Sequence, residues 1–327
     1  MNIVITGGAG YIGSKLTGFL LCAGHDVTII DKMMFGGEHM LPYVCFGSRF
    51  NMIAEDILEA DLASAFSDAD VVIHLAALVG FPICQQVGSQ VARAYNVDGT
   101  KRVYGAACES MVPRIIFAST YSNYGLSLDN SPVTEESPLN PQSLYAETKI
   151  EAERFLLDHK DDICKPLIFR FATLFGTSPR TRFDLIINQF VLDAITKGKI
   201  TIYQRDYRRS FCHIFDIIRA IAMVLEWPSN KFDGQIYNVG SDSNNLSKEQ
   251  VITKIKSIIN VEVEYKDLSF GGDMRDITVS FAKIKCAGFD TIVDVDDGIK
   301  EIIHIIKSGI IKDPYSDKYR NAQFIVN

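Results

Sequence analysis

Short runs of aliphatic and β-branched residues at 2–6, 27–31, 71–75 and 114–119 alternate with stretches at 14–24, 57–66 and 91–110 whose apolar positions recur every three to four residues. This alternation predicts a βαβα chain. The runs VVIHLAA and IIFAS carry almost no polar positions, as expected of strands covered by helices on both faces, and right-handed crossovers then wind them into a doubly wound parallel sheet of the α/β class.

Past Phe175 the rhythm becomes irregular: GTSPRTRFD, a helical stretch at 185–197, a strand at 200–203, a helix at 215–227, the strand IYNVG and a further helix at 248–259. The pattern predicts a first domain over 1–175, to which 215–240 returns, and a smaller C-terminal α/β lobe made of 176–214 and 241–327. No repeat, low-complexity tract or Pro-rich linker separates them, so the two parts are expected to pack closely.

The 327 residues carry 33 Lys+Arg against 40 Asp+Glu, a formal net charge of −7, with 47% hydrophobic residues. That composition excludes disorder, and the absence of a basic run argues against nucleic acid as a partner. The longest near-apolar run, 71–84, is too short to cross a bilayer, so no membrane span is expected. The first strand starts at residue 2 and reads as part of the fold, with no leader peptide. Seven scattered cysteines without a C-x-x-C pair suit a reducing, cytoplasmic setting. The six histidines form no H-x-x-x-H pair, so no metal site is expected, and Cys84, in the loop VGFPICQQ without a paired base, reads as a packing thiol.

Ligands of such sheets bind beyond the carboxyl ends of the strands. The first strand runs into Gly7-Gly8-Ala9-Gly10-Tyr11-Ile12-Gly13, where glycines permit positive φ, close approach of a pyrophosphate and close helix packing. Asp31 ends the second strand 18 residues past Gly13, the position of an acid that bonds a ribose hydroxyl and repels a 2′-phosphate, which favours NAD. Lys32 beside it works the other way, because a cation tolerates that phosphate. Asp56 and Ile57 are placed to receive the adenine, and a solvated loop Asp is the competing reading.

Tyr145 and Lys149 stand at i and i+4 on a predicted helix, hence on one face. A phenol ordinarily titrates near 10, so acting as a base near neutrality requires roughly 4 kcal/mol of stabilisation of the phenolate, which a nearby ammonium and a cationic cofactor supply together. Thr120, 25 residues earlier at a strand end, would bond the same substrate oxygen. Taken alone, Y-x-x-x-K is as well explained by a solvent-facing pair.

Together TGGAGYIG at 6–13, Asp31, Asp56-Ile57, HLAA at 74–77, NVDGT at 96–100, FASTYSNYG at 117–125, YAETK at 145–149, RFATLFG at 170–176 and RRSFCHIFD at 208–216 resemble the extended short-chain dehydrogenase/reductases, in particular the NAD-dependent nucleotide-sugar epimerase/dehydratase family, over residues 1 to about 308. The resemblance implies a Rossmann domain holding NAD and a lobe holding a nucleoside-diphosphate sugar that is oxidised by hydride transfer, commonly at C4. Tyr145 would be the base, Lys149 its tuner and Thr120 the second hydrogen-bonding group. The implied cofactor contacts also include Leu75, Ala76, Ala77, Asn96, Ser119, Phe171 and Thr173. The implied substrate contacts include Val79, Tyr121, Ser122, Asn188 and Arg209, the last with a solvated surface cation as its competing reading.

Dehydratases of the family carry Asp-Glu directly after the catalytic Thr, whereas here Tyr121 and Ser122 follow, which argues against dehydration and against decarboxylation. A sugar-nucleotide 4-epimerase is the leading reading. A net 4-dehydrogenase or ketoreductase of surface-polysaccharide synthesis, and a non-catalytic NAD-binding regulator, are the alternatives. Thr173 stands where galactose epimerases carry Asn, and Phe270 where an Arg usually precedes the Gly-Asp at 272–273, so UDP-galactose is questioned as substrate. The stretch RFATLFGTSPRTRFDLIIN resembles a subgroup that includes GDP-heptose enzymes, in which Arg180, Arg182 and Arg275 are natural diphosphate clamps. A salt bridge to Asp184 or Asp206 competes with that role. The resemblance further implies a homodimer through the helices at 91–110 and 145–159.

Overall fold

A computed structural model of the chain describes residues 1–126, 131–160, 162–266 and 276–321. Its elements in chain order are β1 (Asn2–Thr6), α1 (Tyr11–Cys22), β2 (Asp26–Ile30), β3 (Phe50–Ile53), α2 (Leu62–Phe66), β4 (Val71–His74), α3 (Phe81–Arg93), α4 (Gly99–Glu109), β5 (Arg114–Thr120), α5 (Leu144–Asp158), β6 (Lys165–Phe171), β7 (Thr173–Phe175), α6 (Ile186–Lys197), β8 (Lys199–Tyr203), β9 (Arg208–His213), α7 (Ile214–Leu225), α8 (Ser229–Phe232), β10 (Gln235–Val239), β11 (Asn245–Ser247), α9 (Lys248–Ile258), β12 (Glu262–Lys266), α10 (Ala282–Cys286) and α11 (Val295–Ser308). Seven strands form one sheet in the order β10-β6-β5-β4-β1-β2-β3, parallel throughout.

Both faces of that sheet are covered, which explains the near-continuous apolar runs. Within β1, Ile3 and Ile5 pack with Leu16 of α1 and Ile217 and Ile221 of α7, while Val4 between them packs on the other face with Val103 of α4 and Leu156 of α5. The strand order reverses between β1 and β4, because β2 and β3 lie on one side and β5, β6 and β10 on the other. The crevice at this switch point is where a doubly wound sheet holds its ligand.

A third core gathers Phe175, Phe183, Ile187, Val191, Ile252, Ile255 and Ile299 from the C-terminal elements, beside a three-stranded sheet β11-β9-β7 and the parallel pair β12-β8.

Three local expectations differ from the structure. Of the helical stretch at 57–66 only α2 forms, starting at Leu62, because Asp61 caps it by accepting from the Ser64 amide and the preceding residues make turns. The stretch 91–110 is α3 and α4 joined by one wide turn over Ala94–Asp98, and that turn directs Asn96 into the protein. VGFPICQQ is not a loop throughout: α3 starts at Phe81 with Pro82 in its first turn, and Cys84 is buried, donating to the Leu78 carbonyl. Among the described residues no helix is long and apolar enough to cross a membrane.

Candidate active site

The turn after β1 is shaped by contacts that only glycine allows. Gly7 has φ +73°, and a Cβ there would meet the Ala76 amide nitrogen at 2.7 Å; a Cβ on Gly13 would lie 2.3 Å from the Gly7 carbonyl oxygen. The N-terminus of α1 is thereby seated against β1 and the β4 end, its first amides directed at the crevice. Tyr11, fully buried, donates its hydroxyl to the Gly176 carbonyl at 2.8 Å, and burial raises its phenol well above the ordinary value, so it stays neutral.

Asp31 lies at the end of β2 with one carboxylate oxygen accepting from the Ala9 amide (3.0 Å) and the other from Met33 (2.8 Å). It is fixed at the mouth of the glycine turn, with remaining lone pairs for a diol. Lys32 turns to Asp56 at 2.8 Å and to the Tyr95 hydroxyl at 2.7 Å, and Tyr95 itself donates to Asp56 at 2.6 Å. Its charge is matched locally by Asp56, so it does not offset Asp31, and the pair fits a cofactor without a 2′-phosphate.

On the other side of the crevice, α5 begins with Ser143 accepting from the Ala146 amide, and its first two turns carry Tyr145 and Lys149. Lys149 is buried, donates to the Ala118 carbonyl at 2.9 Å and lies 4.6 Å from the Phe117 ring centroid. Burial lowers its ammonium to about 8, against Cys84 and Glu153, which act to raise it. Thr120 at the end of β5 accepts from the Ser122 amide at 3.1 Å and donates to the Ser122 hydroxyl at 2.9 Å. Tyr121 and Thr173 share a 2.7 Å hydrogen bond between hydroxyls.

One cleft joins these groups. Gly7, Gly10, Tyr11, Ile12, Gly13, Asp31, Lys32, Asp56 and Ile57 line one end, Leu75, Ala76, Ala77 and Val79 the middle, and Ser119, Thr120, Tyr121, Ser122, Tyr145, Lys149, Phe171 and Thr173 the other, with Arg180 and Arg182 on its C-terminal wall. Asn96 does not line the cleft. It lies beneath, accepting from the Leu78 amide (2.8 Å) and donating to the Leu78 carbonyl and the Thr148 hydroxyl, so it positions both the loop after β4 and α5.

Asn188 is likewise a support: it brackets the Gly176 peptide and donates to the Arg182 carbonyl at 2.8 Å. Arg209 is fully buried outside the cleft lining and donates to the Arg208 carbonyl, so it is no surface cation. Arg182 makes a two-pronged bridge to Asp184, both distances 2.9 Å, and its guanidinium also senses the Tyr11 and Tyr145 phenols. Arg275, with Phe270 and the 272–273 pair, lies outside the described residues.

The cleft also contains Met34, Phe35, Gly36, Tyr95, Leu185 and Asn321, which the sequence did not single out. Tyr95 adjoins the NVDGT motif and could have been found there. Asn321 carries no sequence signal: it is 141 residues from the nearest other lining residue that touches it, Arg180.

The sequence model described as the NAD dependent epimerase/dehydratase family matches residues 3–240, most of the chain. The chain is 29% identical to an uncharacterized UDP-glucose epimerase, YtcB, of Bacillus subtilis, over 94% of this chain and 98% of that one. It is 25% identical to UDP-glucuronic acid decarboxylase 1 of Xenopus tropicalis, over 94% of this chain and 72% of the other. The crystal structure of UDP-glucuronic acid 4-epimerase from Bacillus cereus, in complex with UDP-glucuronic acid and NAD, superimposes with a TM-score of 0.84 at 27% identity, covering 94% of this chain and 99% of that one. The match over 3–240, together with one cleft lined by the glycine turn, Asp31, Thr120, Tyr145 and Lys149, places this chain in the NAD-dependent epimerase/dehydratase family.

Proposed function

We propose that the protein is a 4-epimerase of a UDP-linked sugar. One observation carries this reading: the only carboxylates among the described residues lining the cleft are Asp31 and Asp56, both at the end with the glycine turn. At the Thr120 end the neighbours are Tyr121 and Ser122, whose hydroxyls bond Thr173 and Thr120. Elimination of water needs a second acid and base beside the sugar, and neither hydroxyl serves at neutral pH. The UDP moiety is supported by the relatives named for UDP-sugars.

In this reading NAD supplies a hydride acceptor that later returns the hydride to the other face of the keto sugar. Tyr145 takes the proton of the reacting hydroxyl, and Thr120 bonds the same oxygen. Lys149, held in place by the Ala118 carbonyl, stabilises the Tyr145 phenolate and bonds the cofactor ribose. Arg182, electrostatically linked to the Tyr145 phenol, adds positive potential on the same side. The smaller lobe built around the third core holds the nucleotide.

The test is incubation of the purified protein with UDP-glucose, UDP-glucuronic acid and a GDP-sugar, read by proton NMR. Inversion at C4 of a UDP-sugar with no free NADH is the expected result. Stoichiometric free NADH with a keto sugar would establish a net dehydrogenase in its place, and loss of the C6 hydroxyl or of carbon dioxide would overturn the argument from missing carboxylates. Tyr145→Phe should lower turnover by about 10²–10⁴-fold.

A further inference from the structure

The C-terminal segment after α11 reaches the crevice, which Asn321 lines. Lys318 pairs with Glu38, on the loop after β2, at 3.2 Å, and Asn321 donates to the carbonyl of Val79, on the loop after β4, at 3.3 Å. β2 and β4 are the two neighbours of β1 in the sheet. A segment tied to the loops after both of them therefore passes over the end of β1, where the glycine turn lies.

Arg180 joins this segment to the turn. Its guanidinium donates to the carbonyls of Lys318 (3.1 Å) and Arg320 (3.4 Å) and to the Asn321 side-chain oxygen (2.7 Å), all neutral acceptors. It lies 3.8 Å from the ring centroid of Phe35, its own amide meets the Ser14 hydroxyl in the first turn of α1 at 3.3 Å, and only 3% of the residue is exposed. Further ties fix the segment: the Asn321 amide donates to Asp184, and the Phe183 amide to the Tyr319 carbonyl, both at 2.9 Å.

From this arrangement we infer that Arg180 and residues 318–321 form the outer wall of the dinucleotide site, Arg180 matching the charge of the cofactor pyrophosphate and the segment retaining the cofactor through turnover. The assignment moves Arg180 from the sugar-nucleotide diphosphate to the cofactor. Phe35 and Asp31 line the glycine-turn end of the cleft and Ser14 lies in the first turn of α1, whereas Arg182, two residues on, is paired with Asp184 and interacts electrostatically with both Tyr11 and Tyr145. Burial and the neighbouring Arg182 hold the Arg180 guanidinium down at about 9, a deficit that a bound anion reverses. The inference rests on NAD alone and stands or falls independently of the epimerase reading.

The test uses the full-length protein carrying Asn321→Ala or Arg180→Lys, each checked for an unchanged melting profile. Two quantities are read: the rate at which bound NAD leaves on mixing with excess etheno-NAD, followed by fluorescence, and the affinity for UDP by calorimetry. Either variant should release NAD about tenfold faster, as expected for loss of one or two hydrogen bonds to a charged group, with UDP affinity within about twofold of wild type. Unchanged release in both variants overturns the inference, as does a loss confined to UDP binding, which returns Arg180 to the sugar nucleotide. Equal weakening of both ligands also overturns it, since that reports general loosening of the cleft. If Arg180→Lys does not fold, Asn321→Ala, a partly exposed position, decides the matter by the same readings.

Discussion

Glu153 and Arg170 form a buried two-pronged ion pair directly behind the Thr120 end of the cleft, with Arg170 Nη2 2.7 Å and Nε 3.2 Å from one carboxylate oxygen of Glu153. The other oxygen takes the Ser119 hydroxyl and, at 2.8 Å, the Asn123 side-chain amide, while Arg170 also donates to the Tyr124 hydroxyl at 2.9 Å. Glu153 is one turn beyond Lys149 on α5, so the pair ties α5 to β5 and β6 beside Thr120 and Lys149.

Removing one member leaves a charge buried without its partner. Glu153→Met or Arg170→Met should each destabilise the protein by about 3–5 kcal/mol in urea unfolding, and the double change Glu153→Met with Arg170→Met should recover a large part of that loss. A double variant as unstable as the sum of the singles would show that the two side chains act separately.

Lys149 carries the opposite balance. Its ammonium titrates near 8 in the folded protein and near 10.5 unfolded, so the unfolded chain binds the extra proton between those values and stability rises with pH across that window. At pH 7 the buried charge is a net burden, and Lys149→Met should raise stability by up to about 3 kcal/mol while abolishing turnover. Thermal melts at pH 7 and pH 10 check this: the advantage of the variant should shrink at the higher pH.

His74 predicts acid sensitivity. Its Nδ1 is 2.7 Å from the Thr6 hydroxyl and its Nε2 3.0 Å from that of Thr100, whose proton goes to the Asn96 carbonyl, so the ring is neutral with its proton on Nε2. Burial, then the Lys149 charge, lowers the imidazole to about 3. The group's contribution is present above the ordinary pH 6.5 and is lost as pH falls toward 3. The loss of stability between pH 7 and pH 4 should be smaller in His74→Gln by roughly 3 kcal/mol, measured by urea titration at both pH values.

Gly13→Ala tests the turn. The added carbon would meet backbone atoms at 2.3 Å and 2.7 Å, which no side-chain rotation relieves. Destabilisation of about 1–3 kcal/mol is expected, with NAD affinity reduced by more than about tenfold in calorimetric titration. An unaltered affinity would mean that the turn is not the pyrophosphate cradle.

How much of this was legible in the chain depends on how local each feature is. β1 lies where its apolar run predicts it and β2, β4 and β5 within a residue of theirs, because a strand buried on both faces must be apolar along its length. The glycine turn, Asp31 and the placing of Tyr145 and Lys149 on one helix beside the cleft are legible for a similar reason: fixed spacings within one or two elements carry their geometry. The helix predicted over 57–66 failed where the capping Asp61 competed with apolar periodicity.

Groups brought together from distant parts of the chain were decided only by the tertiary structure. Arg182 and Asp184 are two residues apart, and their pairing could be foreseen. Asn96 and Asn188 look like site residues in the sequence, yet folding places each outside the cleft lining as a hydrogen-bonded support. Arg180 meets Asn321 across 141 positions, and Lys318 meets Glu38 across 280. The sequence by itself determined the doubly wound sheet, the glycine turn after β1 and the placing of Tyr145 and Lys149 on one helix, since periodicity and short spacings encode local geometry. Which cations face which ligand, and what closes the crevice, only packing could decide, because a contact between remote segments leaves no pattern in either one alone.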